Sequence, residues 1–455
     1  MLFYIIMKAS GLVVAIVALG AIGCILSKIK NNSDNNNNNN NNNDNIEKLE
    51  IFNYDGSSTD FPTAPFRVVV ATGVTKIESF AFYNCHNLVA ADIPEGVTII
   101  GDSAFQYCRS LKTVSLPDSL ESIEDDAFAN CSSLKAMKIP KGVTSIGDNA
   151  FYLCSSLKDV EIPESVTSIG FGVFYKCTSL TKITIPNGVE RIDFHTFFKC
   201  SSLTTINIPE GITSIDTEAF RECTALKTIS IPTSVTSIGD RTFYDCVSLT
   251  TIVIPDSVTS IGLDVFYNCN SLKTIVLPKS VTRTSPDEEI IIGDNAFAYC
   301  NSLETINIPQ GITRIGENAF SDCISLTTIV LPDSLTRIEF QTFNECTSLT
   351  TINIPTSVTF IGQLAFADCK SLTTINIPTS VTSVNDFVFY RCTSLTTVVL
   401  PDGLESIGQG AFEGCTSLIS INIPTSVTSI GDNAFKGCTS LKPFDIPATV
   451  TSIGE

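Results

Sequence analysis

Residues Leu203 to Ala225 read L-T-T-I-N-I-P-E-G-I-T-S-I-D-T-E-A-F-R-E-C-T-A, and the same pattern starts again at Leu226. Sixteen cysteines from Cys85 to Cys438 mark the period, every interval being 23 residues except that from Cys269 to Cys300. Each cysteine has a phenylalanine three residues before it (Phe82 to Phe435), a leucine three after (Leu88 to Leu441) and a proline nine after (Pro94 to Pro447). A repeat of this length marks a solenoid, in which each turn packs only on its neighbours. One continuous core therefore replaces the several domains that 455 residues would otherwise suggest.

Within the quoted turn, Leu203, Ile206 and Ile208 alternate with polar Thr205 and Asn207, the period of a short strand with one face inward. Pro209 ends it, because proline has no N–H to give a ladder. Ile212 to Ile215 repeat the alternation as a second short strand. The position after it is glycine in many turns (Gly239, Gly262, Gly316), which suggests a backbone corner. Glu78, Glu124 and Glu339 occupy the same position elsewhere, so a positive φ is not required there. Ala219, Phe220 and Cys223 have the spacing of one helical turn with a single buried face. The expected fold is thus a repeat solenoid of 23-residue turns, each with two short parallel β-strands and a one-turn helical segment. A lone repeat cannot bury enough to hold itself in order, so only stacking supplies the second face and the backbone ladder.

Composition narrows the function. The formal net charge is −19, and residues 1–50 balance four basic with four acidic side chains, so the excess lies on the repeats. An acidic surface repels phosphate backbones, which argues against nucleic acid as a partner. There is no tryptophan, and His86 and His195 are the two histidines. No nucleophile, base and orienting group can be assembled, so no enzyme, cofactor or catalytic residue is assigned. The cysteines would stack within disulfide range, but in-register side chains point the same way, and free buried thiols acting as small apolar groups fit better. One thiol per turn without a nearby histidine offers no tetrahedral metal set.

The first residues are a different material. Ala9 to Leu26 carries no charge and is flanked by Lys8, Lys28 and Lys30, so residues 1–30 are assigned as a signal or anchor segment. An uncleaved anchor, a cleaved signal peptide and a lipid-modified Cys24 all remain open. Residues 31–50 hold an asparagine-rich tract expected to be disordered, a linker off a membrane or a spacer without further role. Residues 51–73, with Arg67-Val68-Val69-Val70 at the first-strand position, are expected to form an N-terminal cap, and 74–455 the sixteen-turn solenoid. The chain stops at Gly454-Glu455, half-way through a turn, so self-association at an uncapped C-terminal end is an expectation. An eight-residue insertion at 283–290, Arg283 to Ile290, is expected to bulge between turns nine and ten. A calcium role for Asp287, Glu288 and Glu289 is disfavoured by the absence of a glycine-rich calcium pattern.

The string P-x-S-V-T-S-I-G-x-x-A-F-x-x-C-x-S-L resembles the BspA-type leucine-rich repeat, over Val74 to the C-terminus. The resemblance implies a solenoid of the leucine-rich-repeat type and a cell-surface or secreted protein that attaches to matrix, host or neighbouring cells. It carries no catalytic residues and names no ligand.

Outward positions that differ between turns are the candidates for partner contact. The residue after each phenylalanine gives Tyr152, Tyr175, Phe198, Arg221, Tyr244 and Tyr267 on turns four to nine, and Phe171 and Phe194 lie in the same stretch beside His195. Clustered aromatics with an arginine are typical interface anchors, and the plainer alternative is that the rings lie flat over the neighbouring turn. The leading expectation is a non-enzymatic binding or adhesion module that contacts a protein or extracellular-matrix ligand. The alternative uses the row Thr205, Thr228, Thr251, Thr274, Thr305, Thr328, Thr351, Thr374 and Thr397 as a regular array for ice, polysaccharide or layer contact. Threonine also simply suits a solvated strand face.

Overall fold

A computed structural model describes residues 48–259, 261–278 and 291–455. The apolar segment within 1–30, the asparagine tract up to residue 47 and the insertion at 283–290 lie outside the described residues.

The repeats form a parallel β-solenoid whose turns each have three sides. On the first side, Thr228–Ser230 pairs residue for residue with Thr251–Val253, which pairs in turn with Thr274–Val276. The burial pattern along each is exposed, buried, exposed, so Ile229, Ile252 and Ile275 enter the core. Two residues past each strand end comes Pro232 or Pro255, which stops the ladder. The second side is a two-residue strand, Ser214–Ile215 pairing with Ser237–Ile238. Between the two, Val235 N–H bonds back to the Pro232 carbonyl at 3.1 Å. Ser234 Oγ donates to the Ile212 carbonyl of the preceding turn at 2.6 Å, and Ser334 repeats this with Ile312 at 2.7 Å. The serine of the repeat is therefore an inter-turn fastener.

The third side differs from the helical segment the spacing predicts. In turn seven the N–H groups of Ala219, Arg221 and Cys223 bond to the carbonyls of Asp216, Glu218 and Phe220, three overlapping β-turns. Those of Glu218, Phe220 and Glu222 instead reach Asp240, Thr242 and Tyr244 of the next turn at 2.7–3.0 Å. An α-helix would direct its N–H groups along its own axis and leave none for the neighbour. The alternation needs left-handed backbone at two places, φ 58° at Glu218 and 59° at Glu222. The positions two before and two after the phenylalanine are left-handed in every turn, and Asn, Asp and Gly fill half of them. Those residues tolerate this region best; Leu153 and Leu364, which also occupy it, each cost about 1–2 kcal/mol.

Stacking at a fixed translation makes columns of like residues. Phenylalanine rings from Phe82 to Phe435 form an unbroken stack, with neighbouring centroids 4.9–5.8 Å apart. The step from Phe266 to Phe297, across the insertion, is 5.4 Å like the rest, so the extra residues leave the core register intact. All sixteen repeat cysteines are free, and fifteen are buried. They are more than small apolar groups. Cys223 Sγ donates to the Phe197 carbonyl of the preceding turn at 3.1 Å, an oxygen that also accepts Cys200 N–H. Burial pushes these thiols up, Cys154 and Cys300 to about 12, which suppresses thiolate chemistry. At the N-terminal side, strands Glu50–Tyr54 and Phe66–Val70 continue the first sheet, and Tyr54 and Phe61 lie over Phe82 at 4.7 and 5.5 Å. At the other side Phe444 meets Phe435 edge-on at 5.4 Å.

Glycine at the corner answers to spacing. Gly239, Gly262 and Gly316 have no positive φ, but a Cβ on Gly316 would stand 2.6 Å from Asp294 N and 2.8 Å from Gly293 C. Gly316→Ala should therefore destabilise the protein by about 1–3 kcal/mol through overpacking. Gly403→Ala, with nothing within 4 Å of the new carbon, should leave the melting temperature unchanged. Thermal melts of the two variants check the contrast, and equal effects would contradict it. A thiol reagent gives a second check. Of the repeat cysteines, only half-exposed Cys438 should react readily in the native protein, and the other fifteen should appear in denaturant.

Candidate functional site

The variable column one residue after the phenylalanine projects along the third side. Its backbone N–H is held in its own turn, as Arg221 N–H is by Glu218 O, so the side chain stands at a fixed height against its neighbours. The structure joins six of the eight candidate residues into one pillar. Tyr152 stacks on Tyr175 at 4.5 Å, Tyr175 on Phe198 at 4.7 Å, and Tyr244 on Tyr267 at 4.6 Å, with planes within 10°. Arg221 bridges the two ring groups, its guanidinium carbon 5.5 Å from the Phe198 centroid and 4.7 Å from that of Tyr244. Lys176 and Lys199 add ammonium groups near Tyr175 and Phe198 at 5.2 and 5.4 Å. Each ring before Tyr267 thus packs against the next turn, and Phe198 is only 7% exposed. Edges rather than faces are left for solvent.

Phe171 and Phe194 stand apart from the pillar, each 41% exposed. Phe194 lies 3.6 Å from the His195 ring, which touches Tyr175 and Phe198 at 5.6 and 4.9 Å. Phe171 has no ring partner among the described residues.

A charge column beside the pillar is not singled out by the sequence. His195, Glu218, Arg241 and Asp264 occupy successive turns at the position two before the phenylalanine, alternating in character. Glu218 receives His195 Nε2 at 2.7 Å and Arg221 at 2.9 Å, and lies 3.8 Å from Arg241, which in turn meets Asp264 at 3.0 Å. Adding 23 to His195 and to each successor finds this column from the sequence alone. Arg221 therefore joins the ring stack to the charges through Glu218, and also lies 3.7 Å from Glu222.

The threonine row also resolves. Thr204, Thr250 and Thr327 give their hydroxyls to carbonyls of the preceding turn at 3.0–3.1 Å. Their neighbours Thr205, Thr251 and Thr328 are exposed and make no side-chain hydrogen bond among the described residues. From Thr228 to Thr328 these free hydroxyls run in register on five strands, beside exposed Val253, Val276 and Val330. Among the described residues no group of three or more His, Cys, Asp or Glu side chains could hold a metal ion. None of their helices is long and apolar enough to cross a membrane, and Ala9 to Leu26 and Asp287 to Glu289 lie outside them.

The family model of the BspA type leucine rich repeat region matches residues 75–204, 191–288, 283–396 and 361–455. The chain belongs to this family. A leucine-rich repeat protein from Bacteroides ovatus has the same fold, with a TM-score of 0.60 and 28% identity over 89% of this chain and 91% of its own. A leucine rich cell surface protein from Faecalibacterium prausnitzii is 31% identical over 85% of this chain and 87% of its own, with a TM-score of 0.41. No curated protein matches this BspA-type chain.

His195 gives the site a pH dependence. Burial lowers its pKa from the ordinary value, the Glu218 hydrogen bond and charge oppose this, and Arg221 adds to the lowering. On acidification the unfolded chain takes up the proton first, so the site loses stability as pH falls below about 6.5. His195→Gln should therefore show a smaller drop in denaturant midpoint between about pH 7 and about pH 5 than the parent protein. Equal drops would mean that His195 titrates as a solvated group.

Proposed function

We propose that the chain is a non-enzymatic binding or adhesion module, at the cell surface or secreted, that contacts a protein or extracellular-matrix ligand through the third side of turns four to nine. The observation that carries this is the pairing of a rigid pillar with two exposed rings. Phe171 and Phe194 would be the anchors, and the pillar with its Glu218-centred charges the floor that holds their surroundings. Aromatic anchors on an ordered base lose little conformational entropy on binding. The apolar segment Ala9 to Leu26 would be the route to the membrane or out of the cell.

A second reading rests on the in-register hydroxyls of Thr228 to Thr328. A constant array suits a repetitive target, such as a polysaccharide lattice, ice or another copy of the chain. Two sets of substitutions separate the readings. Phe171→Asp with Phe194→Asp should weaken adsorption to an immobilised extracellular-matrix preparation by at least about tenfold, a loss of about 1.4 kcal/mol. Thr251→Lys with Thr274→Lys should leave it unchanged. The reverse result would transfer the function to the threonine face, and no effect from either set would remove both.

A further inference from the structure

Beyond Tyr267 the pillar ends. In the next two turns the residue after the phenylalanine is Ala298 and then Ser321, both too small to continue the stack. A cavity of about 350 Å³ opens there, near the lower end of small-molecule sites at about 300–1,000 Å³. Its two long walls are the left-handed columns. Asn295, Asn318 and Gln341 line one, and Tyr299, Asp322 and Glu345 the other. The Tyr267 ring closes the pillar end and Asn344 the opposite end.

Some polar side chains in these columns pair with one another, as His195 does with Glu218, Arg241 with Asp264 and Asn268 with Asp245, whereas others such as Asn130 and Asn149 do not among the described residues. The amides of Asn295, Asn318, Gln341 and Asn344 have no side-chain hydrogen bond among the described residues. Each of these amides can both donate and accept. Their backbones are fixed, with Asn295, Asn318 and Gln341 N–H bonding to Glu317, Phe340 and Gln363 carbonyls at 2.8, 2.9 and 3.1 Å. The backbone that carries these side chains is thus ordered before any ligand arrives. Tyr299 stands edge-on to Tyr267, 5.3 Å away and 64° off its plane, and is 40% exposed. Two carboxylates and no cation line the space, which disfavours phosphates, sulfates and sialic acid.

We infer that this cavity is a carbohydrate site that takes a neutral hexopyranose residue of a glycan. The sugar's hydroxyls exchange hydrogen bonds with the amides and the Tyr299 hydroxyl, and donate to Asp322 and Glu345. This site abuts the pillar at Tyr267 but involves neither Phe171, Phe194 nor the threonine row, and it does not depend on which protein or matrix those surfaces contact.

Maltohexaose, cellohexaose, mannohexaose and sialyllactose are titrated calorimetrically into the full chain. At least one neutral hexaose should bind saturably with Kd at or below about 1 mM. Asn318→Gly and Tyr299→Asn remove contacts while keeping residues suited to left-handed backbone, and Asn344→Ala lies outside those columns. Each should weaken that binding by about tenfold, and variants that melt with the parent are the ones scored. Phe194→Asp should leave it unchanged. No saturable neutral hexaose, binding of sialyllactose alone, or affinity unaltered in the folded cavity variants overturns the inference. Binding lost in Phe194→Asp but kept in the cavity variants would overturn it too, and would credit the exposed Phe194 surface instead.

Discussion

The backbone hydrogen bond from one turn to the next is the constraint from which the other features follow. On the strand sides it is a parallel ladder, and on the third side it is made by alternate N–H groups such as those of Glu218, Phe220 and Glu222. A ladder in register forces residue i to lie beside residue i+23, so whatever stands at one height stands there again. Phenylalanine meets phenylalanine, the cysteine thiol meets the carbonyl of the turn below, and serine meets the same corner carbonyl. A residue is selected for fitting against its own kind, which is a narrower requirement than being apolar. Cysteine illustrates this: it is small enough for the column and carries the weak donor that a second lone pair on the phenylalanine carbonyl can use.

That constraint also explains which parts of the fold can be read without coordinates. The strands are legible because alternation within Leu203 to Ile208 has one meaning, and Pro209 marks its end. The third side is not, because Ala219, Phe220 and Cys223 have a spacing that a helical turn and a chain of β-turns share. The distinguishing signal lay in the flanking columns, where Asp264, Asn295, Asn318, Gly410 and Asn433 recur at positions that need left-handed backbone. A helix has no use for such residues at that frequency. The donor role of the thiols was invisible for another reason: periodicity locates a side chain in the core without saying which carbonyl has an unfilled lone pair.

The candidate surface was legible to a similar depth. Variation after the phenylalanine picks out Tyr152 through Tyr267, and the structure brings those residues together as a stack. Ring faces turned toward one another agree with the packing alternative as far as the pillar goes, and exposure falls instead on Phe171 and Phe194. Glu218 escapes notice because a lone glutamate on a polar surface carries no signal. Its place between His195 and Arg241 becomes visible once the repeat is used as a coordinate system, with one axis along the turn and the other across turns.

The two outer faces then differ in what they can recognise. A strand face bearing threonine at successive heights from Thr205 to Thr397 offers the same group again and again, so a ligand gains from it only by repeating at the same interval. A ligand of irregular shape needs columns that change from turn to turn. The third side provides them, because its core duties fall on phenylalanine and cysteine, leaving the residues around them free to vary. It also provides rigidity, since left-handed positions held by two sets of backbone bonds project side chains from a frame with little freedom. Tyrosine, arginine, alanine and serine can therefore succeed one another at Tyr175, Arg221, Ala298 and Ser321 without disturbing the ring stack beneath them. Specificity in this solenoid belongs where the repeat is least faithful to itself.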